Sequence, residues 1–311
     1  VSHYSEVITD NAKEMRPSII HAASNHMNGL AAILAARRLG VKCIYEVRGF
    51  WELTRLSRQP QWEDSEQFRL IKYLETEVAK HADLVLTLNT PMKLELLSRG
   101  IEERKIVILP NGVDTTRFLP SGRDAVLEEE FGLNDKIVIG YVGSVTDYEG
   151  LEILVEAVAD LVEMELPEFH VLIVGDGAFL DQIKEICAFH DLQDVVTFTG
   201  RVKHDDIEAY YSLIDIAPFP RSGSLVTELV SPLKPLEAMS MEKCVIVSVV
   251  EALAEMVCDR ETGFVIEKDD KVSLLQCLKE CILDEEVRSR LGKAARQWVV
   301  EHRDWKVLTK S

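Results

Sequence analysis

Positive charge is what this chain has too little of. Against 53 Asp and Glu it sets 35 Lys and Arg, a formal net charge of −18 over 311 residues. Binding a phosphate backbone at physiological salt needs clustered Lys and Arg, so a nucleic-acid surface is excluded. Broad adhesion to anionic lipid is disfavoured for the same reason, although a local basic patch remains compatible with the composition. Long apolar runs are missing too. Hydrophobic residues make up 47% of the chain, yet no stretch approaches the ~20 residues that a membrane-spanning helix requires. A cytoplasmic location is expected, with at most peripheral contact at the inner face of a membrane. The six cysteines, Cys43, Cys187, Cys244, Cys258, Cys277 and Cys281, contain no CxxC pair. They read as reduced, core-filling thiols. Cys277 and Cys281 share a helical face without a His pair nearby, so no metal site is expected. Short-period repeats and low-complexity linkers are absent.

What is present is alternation. Apolar runs at 18–22, 43–47, 84–88, 106–109, 137–142, 170–174, 195–199, 216–219, 245–249 and 263–266 read as strands. Amphipathic segments lie between most of them, among them 30–39, 67–80, 151–162, 178–188 and 272–283. Such alternation predicts parallel sheets with helices on both faces, and the length suits two domains. The best break is Pro110-Asn111-Gly112-Val113-Asp114, followed by Phe118-Leu119-Pro120-Ser121-Gly122, where Asn-Gly and two prolines read as a crossing between domains. The expected domains are 1–117 and 118–295, with 296–311 as a terminal helix returning toward the first.

The densest chemistry lies in Ser231-Pro232-Leu233-Lys234-Pro235-Leu236-Glu237-Ala238-Met239. It sets a cation one helical turn before a carboxylate at the start of a helix, where free N–H groups and the helix dipole favour an anion. A ligand carrying both phosphates and hydroxyls suits that arrangement.

This motif resembles the nucleotide-sugar site of the group 1 glycosyltransferases, glycosyltransferase family 4. The resemblance extends through 106–114 with Phe118, Tyr141-Val142-Gly143-Ser144, Gly175-Asp176-Gly177, Phe198-Thr199-Gly200-Arg201-Val202, 210–216 and a final helix over 301–305. It covers the C-terminal part and, more loosely, 19–114. The fold it implies is α/β, the GT-B arrangement of two Rossmann-like parallel-sheet domains facing a cleft, with the donor at the carboxyl ends of the C-terminal strands. By resemblance, Glu237 bonds the ribose hydroxyls, Arg201 and Val202 border the base, and Lys234 faces the diphosphate with the backbone near Pro232 and Leu233. Gly143 would permit close backbone approach beside Ser144.

Each departure from the family pattern bears on the site. The usual glutamate pair needs an acid at 229, where Leu229 stands, so the adjacent Glu228 is the candidate for the sugar hydroxyls. Cations usually found at two further positions are replaced by Ser144 and Glu149, leaving Lys234, Arg221 and helix N-termini to neutralise phosphate. Tyr148-Glu149-Gly150 together with 232–237 is similar to a subgroup found with bacterial exopolysaccharide and exosortase systems. On the acceptor side, Arg48 stands where the family often has an active-site His; an arginine steadies an anion but is no general base. His26 and Trp51 in neighbouring loops, with Arg55 and Arg58, complete the candidates. The chain starts at Val1 with a helix-like segment instead of the family's first strand and glycine-rich loop. The N-terminal domain is therefore expected to be incomplete, by truncation or as a natural short form.

The resemblance implies a retaining, metal-independent transfer of sugar from a UDP-, GDP- or ADP-sugar to a hydroxyl of a glycan or lipid-linked acceptor, with no cofactor. The alternatives are a non-catalytic nucleotide-sugar-binding scaffold and another GT-B enzyme such as a sugar-nucleotide epimerase.

Overall fold

Each apolar run of the sequence becomes a strand. The computed structural model describes residues 1–310, and all ten expected strands form, shifted at most at their ends. They divide into two parallel sheets belonging to two units.

The smaller unit comprises Val1–Pro110 and Ser224–Ser231. Its sheet runs β1 (Ile19–Ala23), β2 (Lys42–Val47), β3 (Leu84–Thr87) and β4 (Ile106–Ile108) in sequential order. Helix His26–Leu39 starts where the Asn25 side chain accepts from the Met27 amide at 3.1 Å, and it ends at Gly40 with φ 70°. The small residues Ala31, Ala32, Ala35 and Ala36 line its buried face. A Cβ on Gly29 would collide with Val78 and with the Tyr45 ring, so this helix closes on the core where it has no side chain. Tyr45, Val78, Val85 and Met92 fill that core. The segment Ser224–Ser231 joins it through Leu229, which packs against the core. Asn89 Nδ2 fixes the same segment by donating to the Leu229 carbonyl and the Ser231 hydroxyl, both at 2.7 Å.

The larger unit comprises Asn111–Gly223 and the chain from Pro232 onward. Its strands are β5 (Ile137–Val142), β6 (Phe169–Val174), β7 (Val196–Gly200), β8 (Ile216–Phe219), β9 (Cys244–Ser248) and β10 (Phe264–Ile266). The order is β10-β9-β8-β5-β6-β7, all pairs parallel. This is a doubly wound sheet that reverses direction between β5 and β8, and ligands of such sheets bind outside the carboxyl ends near that point. The strands are apolar almost throughout because helices cover both faces. None of the described helices is long and apolar enough to cross a membrane.

Several expectations change. By its contacts, the chain from Asn111 onward packs with the larger unit. The cause is packing: the Val113 amide donates to the Arg303 carbonyl at 2.9 Å, and Phe118 sits edge-on to Tyr211 in the larger core. Residues 296–310 are not a separate element, since helix Glu285–His302 runs through position 296 and docks by Leu291, Ala295 and Val299. The expected helix over 301–305 is broken, because Asp304 leaves the helical conformation and caps the short turn Trp305–Leu308. Cys258 is exposed instead of core-filling, while Cys43, Cys187, Cys244 and Cys281 are buried.

Candidate functional site

A cavity of about 520 Å³ opens in the larger unit over the carboxyl ends of β5, β6 and β7. Val142, Gly143 and Ser144 contribute from β5, Val174 to Gly177 from β6, and Arg201, Val202, His204 and Ile207 from the segment after β7. Glycine makes the floor possible. A Cβ on Gly175 (φ 135°) would overlap the Gly143 carbonyl, and one on Gly177 would overlap that of Val145. Backbone therefore lies on backbone, and a ligand meets main-chain groups at close range. Asp176 is exposed at the rim, and its Oδ1 accepts from the Gly177 amide at 2.7 Å.

Beside this floor, toward β8, lies a buried charge cluster. Gly143 has φ 150°, and a side chain there would run into the Lys234 stem, so the lysine crosses directly against its α-carbon. The Lys234 ammonium reaches Glu149 Oε1 at 2.8 Å and the Tyr141 hydroxyl at 2.5 Å. The Tyr141 hydroxyl in turn donates to the Ser144 carbonyl at 2.8 Å. Arg221 Nη2 lies 3.7 Å from the same Glu149 oxygen. Burial lowers the Lys234 pKa, and Glu149 opposes that shift. Burial also raises the Tyr141 phenol well above its usual range, with Glu149 adding to it.

One turn along helix Lys234–Ser240, Glu237 Oε2 accepts from the Tyr211 hydroxyl at 3.1 Å. Burial raises the Glu237 pKa above the usual glutamate value, against the hydrogen bond from Tyr211 and the charges of Lys234 and Arg117. Arg117 is held by Glu208 and donates to the His204 carbonyl at 2.6 Å. Its Nη1 lies 2.8 Å from His204 Nε2. A guanidinium has no acceptor, so His204 Nε2 accepts and Nδ1 carries the proton.

Of the residues singled out in the sequence, the structure brings Gly143, Ser144, Arg201 and Val202 onto the cavity wall. Lys234 and Arg221 converge on Glu149, and Glu237 stands one turn from Lys234. Pro232 and Leu233 precede that helix, Leu233 being exposed. Glu228 is elsewhere: it lies on helix Leu225–Leu229 within the smaller unit. Arg48 and His26 also belong there and are already engaged. Arg48 forks onto Glu46 at 2.8 and 3.0 Å. The His26 backbone amide and ring Nδ1 lie 2.7 and 3.1 Å from Glu75 Oε1, while Tyr45 donates to Glu75 Oε2 at 2.5 Å. A carboxylate only accepts, so Nδ1 donates and Nε2 is left for other partners. In the same unit Trp51, Thr54, Arg55, Arg58 and Gln59 line a second cavity of about 470 Å³, with the Arg55 guanidinium stacked 4.2 Å over Trp62.

The sequence reading missed Asp176, His204 and Arg117, and it treated Glu149 as a lost cation rather than a partner. Gly175-Asp176-Gly177 carried the signal for Asp176. For His204 there was none beyond its place just after Arg201-Val202.

Comparison with known proteins adds to this geometry. The family model described as "Glycosyl transferases group 1" matches residues 125–298, and that described as "Glycosyltransferase Family 4" matches residues 4–117. An uncharacterized glycosyltransferase of Methanocaldococcus jannaschii is 24% identical over 235 residues, covering 75% of this chain. The chain spans 58% of that protein's length. The alpha-D-kanosaminyltransferase of Streptomyces kanamyceticus is 25% identical, over 92% of this chain and 74% of its own. Among solved structures, Anabaena HepE in complex with UDP superposes with a TM-score of 0.81 at 17% identity, covering 98% of this chain and 79% of that one.

Proposed function

Since the chain belongs to the group 1 glycosyltransferases and has the GT-B fold, we propose that it transfers a sugar from a nucleoside diphosphate donor to a hydroxyl of a glycan or lipid-linked acceptor. The observation that carries this is the pairing of a glycine-floored cavity at the carboxyl ends of β5, β6 and β7 with Lys234 and Glu237 one helical turn apart beside it. The base lies against Arg201 and Val202, the ribose hydroxyls bond Glu237, and the diphosphate meets Lys234. Transfer proceeds with retention and without a metal ion, through an oxocarbenium-like transition state. As the glycosidic bond breaks, charge develops on the departing diphosphate, and the Lys234 ammonium with nearby backbone N–H groups is pre-arranged to stabilise it. Arg48, His26 and the cavity around Trp51, Arg55 and Arg58 serve the acceptor.

The UDP bound in the Anabaena structure makes UDP the first probe, with GDP and ADP beside it. In a thermal-shift screen, the matching nucleotide at 100 times its Kd stabilises the chain by about 2.7 kcal/mol. Binding is expected to persist in EDTA; its loss, with rescue by Mn²⁺, would overturn the metal-free part. A second reading is favoured by Glu149, which already neutralises Lys234: a nucleotide-sugar-binding protein without turnover. Slow donor hydrolysis or transfer by the purified chain decides for the enzyme, and binding with no turnover decides for the scaffold. An epimerised nucleotide-sugar would identify the remaining alternative.

A further inference from the structure

Glu149 puts a carboxylate among the groups meant for an anion. It closes the short turn Asp147–Glu149 after β5 and is 4% exposed. Its Oε1 gathers Lys234 and Arg221, while its Oε2 is buried with no hydrogen-bond partner among the described residues. Burying a carboxylate is costly unless an ion pair of good geometry offsets the desolvation, and Lys234 is the partner that meets this condition. The ammonium has three N–H donors. One goes to Glu149 and one to Tyr141, and the third has no partner among the described residues. The stem is confined as well, because it lies against Gly143, where no side chain intervenes. The charged and titratable groups facing the ammonium are Glu149, Tyr141, Arg221 and Glu237.

We propose, on the premise that Lys234 meets the donor's diphosphate, that Glu149 is a positioning residue: it keeps the Lys234 ammonium charged and holds it so that the spare N–H points to the phosphates. Burial by itself pulls the lysine toward losing its proton, and Glu149 is the largest influence against that. Without the carboxylate, the proton leaves at lower pH and the phosphates lose their charged donor.

The test uses the full chain. The Lys234 titration is followed by ¹³C NMR of ε-labelled lysine, its signal assigned with Lys234→Met. In parallel, UDP, GDP and ADP and their nucleosides are titrated calorimetrically from about pH 7 to about pH 9.5, below the ordinary lysine pKa. Glu149→Gln is expected to lower the Lys234 midpoint by roughly one unit or more, and diphosphate affinity to fall about tenfold or more across the range. Nucleoside affinity should follow the same pH profile in both proteins, and the diphosphate affinity of the unmodified chain should fall less, and at higher pH, than that of Glu149→Gln. An unchanged midpoint in Glu149→Gln overturns the proposal. A lowered midpoint with a diphosphate profile no different from that of the unmodified chain removes the diphosphate from Lys234 and overturns the donor premise instead. If Glu149→Gln does not fold, the Glu149→Gln/Lys234→Met double variant must recover the melting temperature; failure to recover it shows that the two groups are uncoupled and overturns the proposal.

Discussion

Glu237 and Lys234 sit one turn apart on the same short helix but have different chemistry to offer. Glu237→Gln keeps the shape and loses the carboxylate's capacity to accept from two hydroxyls, so nucleoside and nucleoside diphosphate should both bind more weakly. The effect should largely vanish with a dideoxyribose ligand. Lys234→Ala removes a charge-assisted hydrogen bond worth roughly 1.5–3 kcal/mol, on the order of 10- to 150-fold in affinity, and only for ligands with phosphates. Calorimetric titration with nucleoside, monophosphate and diphosphate separates the two; equal losses for nucleoside and diphosphate in Lys234→Ala would refute the division of labour. A residue outside the site gives a stability test. His170 on β6 is buried, its Nε2 lies 2.8 Å from Thr197 Oγ1, and burial lowers its pKa from 6.5 to about 4, Lys136 adding to the shift. The unfolded chain therefore takes up a proton near 6.5, where the folded chain stays neutral. Its contribution is complete above that pH and is lost as the pH falls toward 4, in total up to roughly 3 kcal/mol. Urea unfolding of His170→Gln should show a shallower pH dependence over that window than the unmodified chain; parallel curves would contradict it.

At the scale of elements, the segment after helix Glu285–His302 is tied to the start of the larger unit through Asp304. Its Oδ2 accepts from the Thr115 hydroxyl at 2.5 Å, and its Oδ1 accepts from the Lys306 amide at 2.7 Å. Burial pushes its pKa up, but these hydrogen bonds and the Lys306 charge outweigh that and hold it below the usual aspartate value. Asp304→Ala should cost about 1–3 kcal/mol, a lost cap plus a buried hydroxyl left without its acceptor, read as a lower melting temperature. Trp305→Ala should cost less, because that ring is 43% exposed. An Asp304→Ala protein melting with the unmodified chain would show that the segment is frayed. The strands, the crossing at Asn111-Gly112 and the helix carrying Lys234 and Glu237 were legible because each rests on a local signal: an apolar run, a turn dipeptide, a spacing. The partnership of Glu149 with Lys234 was not, since it depends on which side of β5 the chain returns to after β8. Nor was the membership of Ser224–Ser231 in the smaller unit, although it explains Leu229. Where an acid was missed in the sequence, the structure has an apolar side chain packed against a core.

On the scale of the whole molecule, the residues proposed for the base, the ribose and the diphosphate, Arg201, Val202, Glu237 and Lys234, all belong to the larger unit. That unit has a six-stranded sheet and a continuous core from Val113 to Val299. A chain beginning at Asn111 keeps the Val113 and Thr115 contacts with Arg303 and Asp304, so its first residues remain anchored. What it gives up is the cover over Ser224–Ser231, chiefly Val226 and Leu229, which lie in the smaller unit. Exposing a buried aliphatic side chain costs about 1.5–3 kcal/mol, a sizeable fraction of the ~5–15 kcal/mol typical of a domain, but not all of it. The fragment is therefore expected to melt cooperatively at a lower temperature than the full chain and to bind the selected nucleoside diphosphate within about threefold of it, a difference below ~0.7 kcal/mol. Circular dichroism melting and calorimetric titration check the two halves of that statement separately. A fragment that folds but binds a hundredfold more weakly would mean that donor recognition draws on residues before Asn111, and the assignment of base, ribose and diphosphate to one unit would fall.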